Sequence, residues 1–330
     1  MQIQQIIGAD ISKKSIDFAI HHSGIHLKVS NDHQGFTELI RWTKKQKIDF
    51  SKTLIVMEHT GIYSYRLEQF LHQKTLLFTK VPGLQIKLSM GMVRGKTDKV
   101  DAIRIARFGF EKRFELKPVS LRDAAIDRLK MLSTTKDKLV RVRASLLTSV
   151  NEYQEVCDLK DSDVIVTSQR KLIKEMSNQI NKLETEIESI MDKSPDLTNN
   201  YRLLMSIKGV GKVVALNTIL KTENFTRFRD GRKFACFCGT APFEHSSGSS
   251  IKGRTKISHL ADKGMKTLLD LAAKSAIQHD EELRLYYQNR IKKGKNKKST
   301  INVVRNKIIY RMFAVIKRQS PFIPDYLQVA

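Results

Sequence analysis

The feature that most constrains the fold of this chain is a change in hydrophobic periodicity near residue 120. Before that point short apolar runs alternate with turn residues, starting with three strand-like segments at 4–11, 15–21 and 25–29. Beyond it, turn residues almost vanish up to Ser194, and apolar residues recur at helical spacing. The pattern therefore predicts an α/β region followed by long helices.

The first region continues with alternating helix-like and strand-like segments after the three-strand meander. We predict helices at 35–47, 63–72 and 98–110, strands at 53–57 and 75–81, and a chain break at Pro82 and Gly83. The resulting order, βββαβαβα, fits a mixed sheet with helices packed on it. Among such layouts the ribonuclease H-like fold is the leading candidate for a domain spanning residues 1–115.

The second region, residues 120–195, has the spacing of a coiled-coil seam. Steps of four and three join Met176, Ile180, Leu183, Ile187 and Ile190. A weaker seam on an earlier helix consists of Leu129, Leu132, Leu139 and Leu146, with a turn expected at 161–163. An ordinary helical hairpin has the same periodicity, so the segment is predicted to be a spacer or an oligomerisation arm.

A mostly helical third region is predicted for residues 200–330, after Pro195 closes the spacer. Its first helical stretch, 201–221, contains the run SIKGVGK, which resembles the turn of a helix-hairpin-helix motif. Backbone N–H groups in such a turn can hold a DNA phosphate. The candidate nucleic-acid contacts are Lys208, Gly209, Gly211 and Lys212. Further helices are expected at 262–277 and 301–316, the second preceded by a lysine-rich run.

The charge balance indicates a polyanionic partner, since 59 Lys and Arg residues against 34 Asp and Glu residues give a net charge of +25. No apolar run is long enough to span a bilayer, which argues against a membrane protein. The three cysteines lack the paired spacing of a structural zinc site, and we interpret them as reduced thiols of a cytoplasmic protein.

Four acidic residues of the first region are candidate metal ligands. Asp10 and Glu58 each end an apolar strand, and Asp98 and Asp101 share one face of the helix that they open. Each has an ordinary alternative, because Asp98 could cap its helix and Glu58 could pair with Arg66. Together they predict a site for Mg²⁺ or Mn²⁺, which favour oxygen ligands.

A Ser- and Gly-rich stretch near residue 247 contains a possible nucleophile. Composition alone favours a flexible linker. A serine attacks a phosphate only where cations stabilise the developing charge, and Lys252, Arg254 and Lys256 follow closely. Lys96, with Arg94, precedes the paired aspartates and is a further candidate contact to a nucleic-acid backbone.

Several of these motifs together resemble the IS110 insertion-sequence family of transposases, relatives of the Piv-type DNA invertases. They are GADIS, VMEHTG, KTDKVDAxxIA, GTAPFEHSSGSSIKGRTKIS, ADKGMK and GKNKK, spread over nearly the whole chain. The resemblance implies a ribonuclease H-like, Holliday-junction-resolvase-like domain with a DEDD metal site, a coiled-coil spacer, and a C-terminal transposase domain that supplies a serine. The matching positions are Asp10, Glu58, Asp98, Asp101 and Ser247.

The resemblance also implies how such a chain works. Ser247 precedes Gly248, where the family motif carries its serine, although many relatives have SGG where this chain has SGS, and Ser246 is the alternative. A dimer or tetramer is implied, with composite active sites that use acids of one subunit and the serine of another. Donor and target DNA are the expected partners, with a bridge RNA as guide, in a cytoplasmic, nucleoid-associated enzyme.

Two other functions fit parts of the sequence. A structure-specific nuclease of the junction-resolvase type would keep the four acids and use water in place of the serine. A non-catalytic DNA-binding protein would account for the positive charge and the hairpin-like turn. It would leave the placement of the acids unexplained.

Overall fold

The structure is a computed structural model that describes residues 3–89, 97–119, 124–247, 251–257 and 261–324, with the backbone alone for 243–247 and 251–257. The chain divides into two compact units, Met1–Arg122 and Asp123–Ala330. Separate apolar cores stabilise the two units. The first unit is a mixed α/β structure, and the described part of the second is mostly helical.

A five-stranded sheet forms the centre of the first unit, in the order β3-β2-β1-β4-β5. Strands β1, β2 and β3 form the predicted antiparallel meander, whereas β4 lies parallel to both β1 and β5. The strand bounds are β1 Gln5–Ile11, β2 Ser15–Ile20, β3 His26–Ser30, β4 Thr53–Glu58 and β5 Phe78–Val81. The last strand is shorter than expected, because Thr75 has a left-handed φ of 53° at the end of the preceding helix.

Helices cover both faces of this sheet. They are α1 His33–Lys45, α2 Tyr65–Gln73, α3 Gly83–Ser89 and α4 Asp98–Glu111. The strand β5 ends directly before Pro82 and Gly83, as predicted, but the sequence pattern does not predict α3, which begins there with hydrogen bonds from the N–H groups of Gln85 and Ile86 to the Pro82 carbonyl. Proline suits a helix start, because the N–H that it lacks has no partner in the first turn.

The alternation of side chains along β1 decides which residues meet α4. Ile7, Ala9 and Ile11 belong to the core on the α1–α2 side. Ile6 belongs to the other core, together with residues of α4, and Gly8 and Asp10 share its face because side chains alternate along a strand. The carboxylate of Asp10 is therefore directed to the α4 side of the sheet.

Two long helices open the second unit, α5 Ala124–Val156 and α6 Val164–Asp192, and they pack against each other. Their connection lies where the turn was expected. Ile180 and Ile187 of the predicted seam are buried, and polar contacts such as Lys136–Glu184 (3.4 Å) also join the two helices. The pair forms a helical hairpin.

The remaining chain of this unit folds around one apolar core that includes Leu204, Ile219, Phe234, Leu269 and Ile308. As predicted, the long helices end before Pro195, since α6 ends at Asp192, but the next helix begins at Pro195 itself and not at residue 201. The elements are α7 Pro195–Met205, α8 Lys212–Thr222, α9 Gly231–Phe237, β6 Pro242–Ser247, β7 Ile251–Ile257, α10 Lys263–His279, α11 Glu281–Lys292 and α12 Lys297–Arg318. None of the helices in the described part of the chain combines the length and apolarity that a membrane span requires.

Candidate active site

A row of charged residues crosses the sheet on the face that α4 covers. Asp10 of β1 lies opposite Asp17 of β2, and Asp17 lies opposite Lys28 of β3. On the other side of β1, Ala9 pairs with Met57 of β4. Asp10 comes directly after Ala9 and Glu58 directly after Met57, so the two acids occupy matching positions on adjacent parallel strands. Directly paired residues share a face of the sheet. Strand register alone thus aligns three carboxylates and one ammonium group.

Helix α4 brings the second pair of acids to this row. Its backbone packs directly on Gly8, where a Cβ atom would lie 2.2 Å from the carbonyl oxygen of Ala102. The helix is capped by Thr97, whose Oγ1 accepts from the N–H of Val100 at 3.3 Å. Asp98 is therefore not the cap, and its carboxylate, like that of Asp101, belongs to the first turn of α4.

The neighbouring acidic residues are close enough to Asp10 to raise its pKa. Burial is the largest cause that raises the pKa of Asp10, from an ordinary 3.8 to about 6, followed by the charges of Asp101, Asp98, Glu58 and Asp17. Both effects disfavour the ionised form. As predicted, Glu58, Asp98 and Asp101 are thus close enough to Asp10 for their charges to act on it.

Basic groups and a glycine contact the other carboxylates. Arg104 Nη1 donates to Asp101 Oδ1 at 2.8 Å, and Lys28 Nζ lies 3.5 Å from Asp98 Oδ2. Glu58 packs on Gly83, where a Cβ atom would lie 2.0 Å from Glu58 Oε1. The glycine at the start of α3 thereby leaves space for the Glu58 carboxylate.

Within the described residues, no group of three or more His, Cys, Asp or Glu side chains has the geometry of a metal site. The chemistry of the donor set nevertheless fits a hard divalent cation. All the candidate ligands are carboxylates, and their mutual repulsion, visible in the raised pKa of Asp10, is the kind that a divalent cation relieves.

Sequence reasoning missed three residues of this site: Asp17, His26 and Lys28. Asp17 is buried and its Oδ1 accepts from His26 Nε2 at 2.7 Å. In the sequence it is one polar residue in an alternating strand, so that nothing distinguishes it from a solvent-facing position. The short β1–β2 connection was the available signal, because a tight antiparallel pairing places Asp17 opposite Asp10.

The serine stretch of the second unit forms a β-hairpin, so the linker structure that its composition favours is wrong for the described part. Ser247 is the last residue of β6 and pairs with Ile251, and Ser246 pairs with Lys252. Arg254 and Lys256 lie on β7. Ser246 and Ser247 therefore have regular β-strand backbone and lie at the distal end of the hairpin.

Helix α12 fixes the chain where this hairpin begins. The carbonyl of buried Thr240, two residues before β6, accepts from Asn302 Nδ2 at 2.8 Å and from Asn306 Nδ2 at 3.0 Å. At the other root, Asp262 caps α10 and pairs with Lys221 at 2.7 Å. Both roots of the hairpin are thus attached to the helical core.

The glycine-rich run lies in the turn between α7 and α8, as expected. Gly209 has a φ of +91°, and a Cβ atom there would lie 2.5 Å from the carbonyl oxygen of Ala272 in α10. Gly211 is the N-cap of α8 and has open space around it, and Lys208 and Lys212 are exposed. Lys96, the remaining predicted contact, lies outside the described residues.

The three cysteines are free thiols. Cys238 is buried in the core of the second unit, and burial raises the pKa of its thiol. That environment does not suit a reactive thiolate.

Comparison with protein families identifies the chain. Residues 7–156 match the family model of the IS110 DEDD transposase, and residues 201–288 match the model described as the transposase IS116/IS110/IS902 family. The chain belongs to the IS110 family of transposases. The first match contains all four candidate acids and the second contains the serine hairpin and the glycine-rich turn.

Relatives of this IS110-family chain include recombination proteins. It is 27% identical to the pilin gene-inverting protein of Moraxella bovis over 327 residues, covering 96% of this chain and 97% of the relative, and the protein of the same name from Moraxella lacunata has the same identity and coverage. An uncharacterized protein of insertion element IS110 from Streptomyces coelicolor is 23% identical over 205 residues, covering 61% of this chain and 49% of the relative.

The chain is accordingly an enzyme of DNA recombination, a transposase that binds DNA. A transposase domain of the DEDD type also implies dependence on a divalent metal.

Proposed function

We propose that this IS110-family transposase exchanges DNA strands through a covalent serine–DNA intermediate, with Asp10, Glu58, Asp98 and Asp101 as its metal ligands and Ser247 as its nucleophile. The observation that carries the proposal is the row of acids on the α4 face, where four like charges act on one carboxylate. In this reading the first unit contains a ribonuclease H-like domain at 1–115, which the strand order β3-β2-β1-β4-β5 supports.

The four acids would hold Mg²⁺ or Mn²⁺, and a divalent cation bound there supplies Lewis-acid activation of a phosphodiester. The protein's own contribution is placement. Gly8 allows α4 to approach the sheet, so that the carboxylates of Asp98 and Asp101 reach the end of β1. Gly83 leaves room for Glu58.

The serine step conserves the phosphoester bond. The Ser247 hydroxyl loses its proton and forms an ester with the phosphorus, while one bond between phosphorus and deoxyribose oxygen breaks and the released DNA hydroxyl gains a proton. A hydroxyl of a second DNA end then displaces the serine by the reverse exchange. One bond forms for each that breaks, so ATP is not required.

Nucleic-acid binding is assigned to basic and glycine positions of the described chain and to Lys96. The turn at Gly209 and Gly211, with Lys208 and Lys212, would hold a phosphate through backbone N–H groups, and the open space at Gly211 supports this role. Lys252, Arg254 and Lys256 follow the serine on β7 and would stabilise charge at the attacked phosphate.

The proposal extends to assembly and guidance. The α5–α6 hairpin, residues 120–195, would act as a coiled-coil arm that joins subunits into a dimer or tetramer, with the serine of one subunit acting at the acids of another. The transposase domain at 200–330 would bind donor and target DNA paired to a bridge RNA. The net charge of +25 supports such a polyanionic assembly.

Matched variants test this function. Asp10→Asn and Ser247→Ala should each abolish strand exchange between plasmids that carry the DNA flanking this gene, whereas Ser246→Ala should retain it. Full exchange by Ser247→Ala would exclude the serine intermediate. Cleavage without exchange in the same variant would instead favour the nuclease that uses water.

A further inference from the structure

The ammonium group of Lys28 lies between two carboxylates of very different exposure. Its Nζ atom is 3.6 Å from Oδ2 of Asp17 and 3.5 Å from Oδ2 of Asp98. The Asp17 side chain is 5% exposed, that of Asp98 is 62% exposed, and that of Lys28 is 54% exposed. Lys28 thus reaches from a buried acid to one at the surface of the acidic cluster.

Asp17 is held on its other oxygen. His26 Nε2 donates to Asp17 Oδ1 at 2.7 Å, so that the two oxygens of one buried carboxylate have different partners. His26 and Lys28 are two residues apart on β3 and therefore project from the same face as Asp17. The carboxylate of Asp17 is fixed by burial and by this bond, and it sets the position of the ammonium group.

The two contacts of Lys28 are ion pairs that are longer than direct N–H···O hydrogen bonds. They orient the ammonium group and leave it able to donate to a third acceptor. An ammonium group carries three donors and behaves as a point charge toward phosphate oxygens. A DNA phosphate that approaches four carboxylates meets strong repulsion, which a cation in the same row reduces.

We propose that Lys28 contacts the phosphate undergoing strand exchange, and that Asp17 is a positioning residue that holds its ammonium group over Asp98. This inference rests on the proposed function, because it assumes that chemistry takes place at the acidic row. It adds to that site a protein-borne cation from β3, an element outside the four-acid motif.

A pair of opposite effects distinguishes this role from a structural one. Lys28→Met removes a positive charge 3.5 Å from Asp98, so Mn²⁺ alone should bind the full-length protein roughly threefold to tenfold more tightly, measured by electron paramagnetic resonance. At saturating Mg²⁺ the same variant should cleave a supercoiled plasmid carrying the DNA that flanks this gene at least tenfold more slowly. Lys28→Arg should recover much of that loss.

Two further variants complete the test. Adding Asp17→Asn to Lys28→Met should not slow cleavage further at saturating Mg²⁺, because Asp17 acts through Lys28. Lys52→Met is the matched control, since Lys52 is 52% exposed, belongs to the same unit and has one ion pair, with Asp49. It should change neither Mn²⁺ binding nor cleavage.

Three results would overturn the inference. They are cleavage by Lys28→Met within twofold of the natural protein, weaker Mn²⁺ binding by that variant, and a further loss when Asp17→Asn is added. In each case cleavage by the natural protein leaves the proposed function standing. A natural protein that binds no Mn²⁺ and cleaves no DNA would overturn the proposed function and this inference together.

Discussion

The backbone of α4 at Ala102 packs so closely on Gly8 that a Cβ atom on Gly8 would lie 2.2 Å from the Ala102 carbonyl oxygen and 2.3 Å from the N atom of Ala106. No rotamer change relieves a contact with backbone atoms. The position of Asp98 and Asp101 relative to Asp10 therefore depends on residue 8 having no Cβ atom.

Gly8→Ala should displace α4 and separate the acids. We expect the first unit to lose about 1–3 kcal/mol of stability, as overpacked cores do, together with nearly all strand exchange. Thermal unfolding and the plasmid exchange assay measure the two effects. Gly264→Ala, where the new Cβ atom would meet its neighbour at an ordinary 3.4 Å, is the control and should unfold like the natural protein.

The raised pKa of Asp10 predicts how stability varies with pH when a chelator is present. The folded state holds the Asp10 proton up to a pKa of about 6, whereas the unfolded chain releases it near 3.8. The unfolded state thus binds fewer protons in this window, and stability falls as pH rises through it. Asp10→Asn removes the ionisation and should be more stable at pH 8.

Chemical denaturation of Asp10→Asn and of the natural protein at several pH values checks this. Allowing for solvent screening, we expect a difference of about 1–2 kcal/mol at pH 8 that disappears near pH 4. A difference that stays constant over this range would mean that burial and the acidic neighbours do not disfavour the ionised form of Asp10.

The attachment of the serine hairpin to α12 predicts a selective effect of Asn306. This side chain donates to the Thr240 carbonyl and accepts from the Thr240 hydroxyl at 2.8 Å, so Asn306→Ala removes one of the two described partners of the buried hydroxyl and leaves its bond to the Ala235 carbonyl. We expect a loss of about 1–3 kcal/mol and a larger loss of strand exchange than of DNA affinity.

Asn302→Ala provides the comparison. Among the described residues, Asn302 donates to the Thr240 carbonyl, which keeps its bond to Asn306 in that variant, and accepts from Arg305 Nη1 at 3.3 Å. Its effect on exchange should therefore be the smaller of the two. Equal effects, or none from Asn306→Ala, would show that this attachment does not position the hairpin.

Much of the first unit could be predicted from its sequence, because its strands are short apolar runs between turn residues. The bounds of β1, β2 and β4 agree with expectation to within one residue. Pro82 and Pro195 predict the ends of β5 and of the long helices, but not that a helix begins at or next to each of them. Proline restricts its backbone in a way that suits a turn and a first helical residue equally.

The site was predictable where a residue's position depends on its own element. Asp10 and Glu58 lie at strand ends, and Asp98 and Asp101 belong to one helical turn, so local spacing predicts the place of each residue within its own element. Asp17 and Lys28 join the site through pairing across three strands, which a single-strand pattern does not contain. The hairpin escaped prediction because Ser, Gly and Lys have little strand preference of their own.

The exposed turn between α7 and α8 predicts salt-dependent DNA binding. Lys208→Met and Lys212→Met should each weaken binding to unrelated DNA duplexes and lower the slope of log affinity against log salt by about 1. Lys274→Met, also in the second unit and paired with Asp270, should leave the slope unchanged. Unchanged slopes in both turn variants would remove this turn from the DNA-binding surface.

The most direct measurement is to trap the protein during strand exchange, digest it, and identify by mass spectrometry which residue carries the DNA. The account predicts a deoxynucleotide ester on Ser247 that requires a divalent cation and is absent from Asp10→Asn. An adduct on another residue, or exchange that proceeds with no protein–DNA adduct, would contradict it.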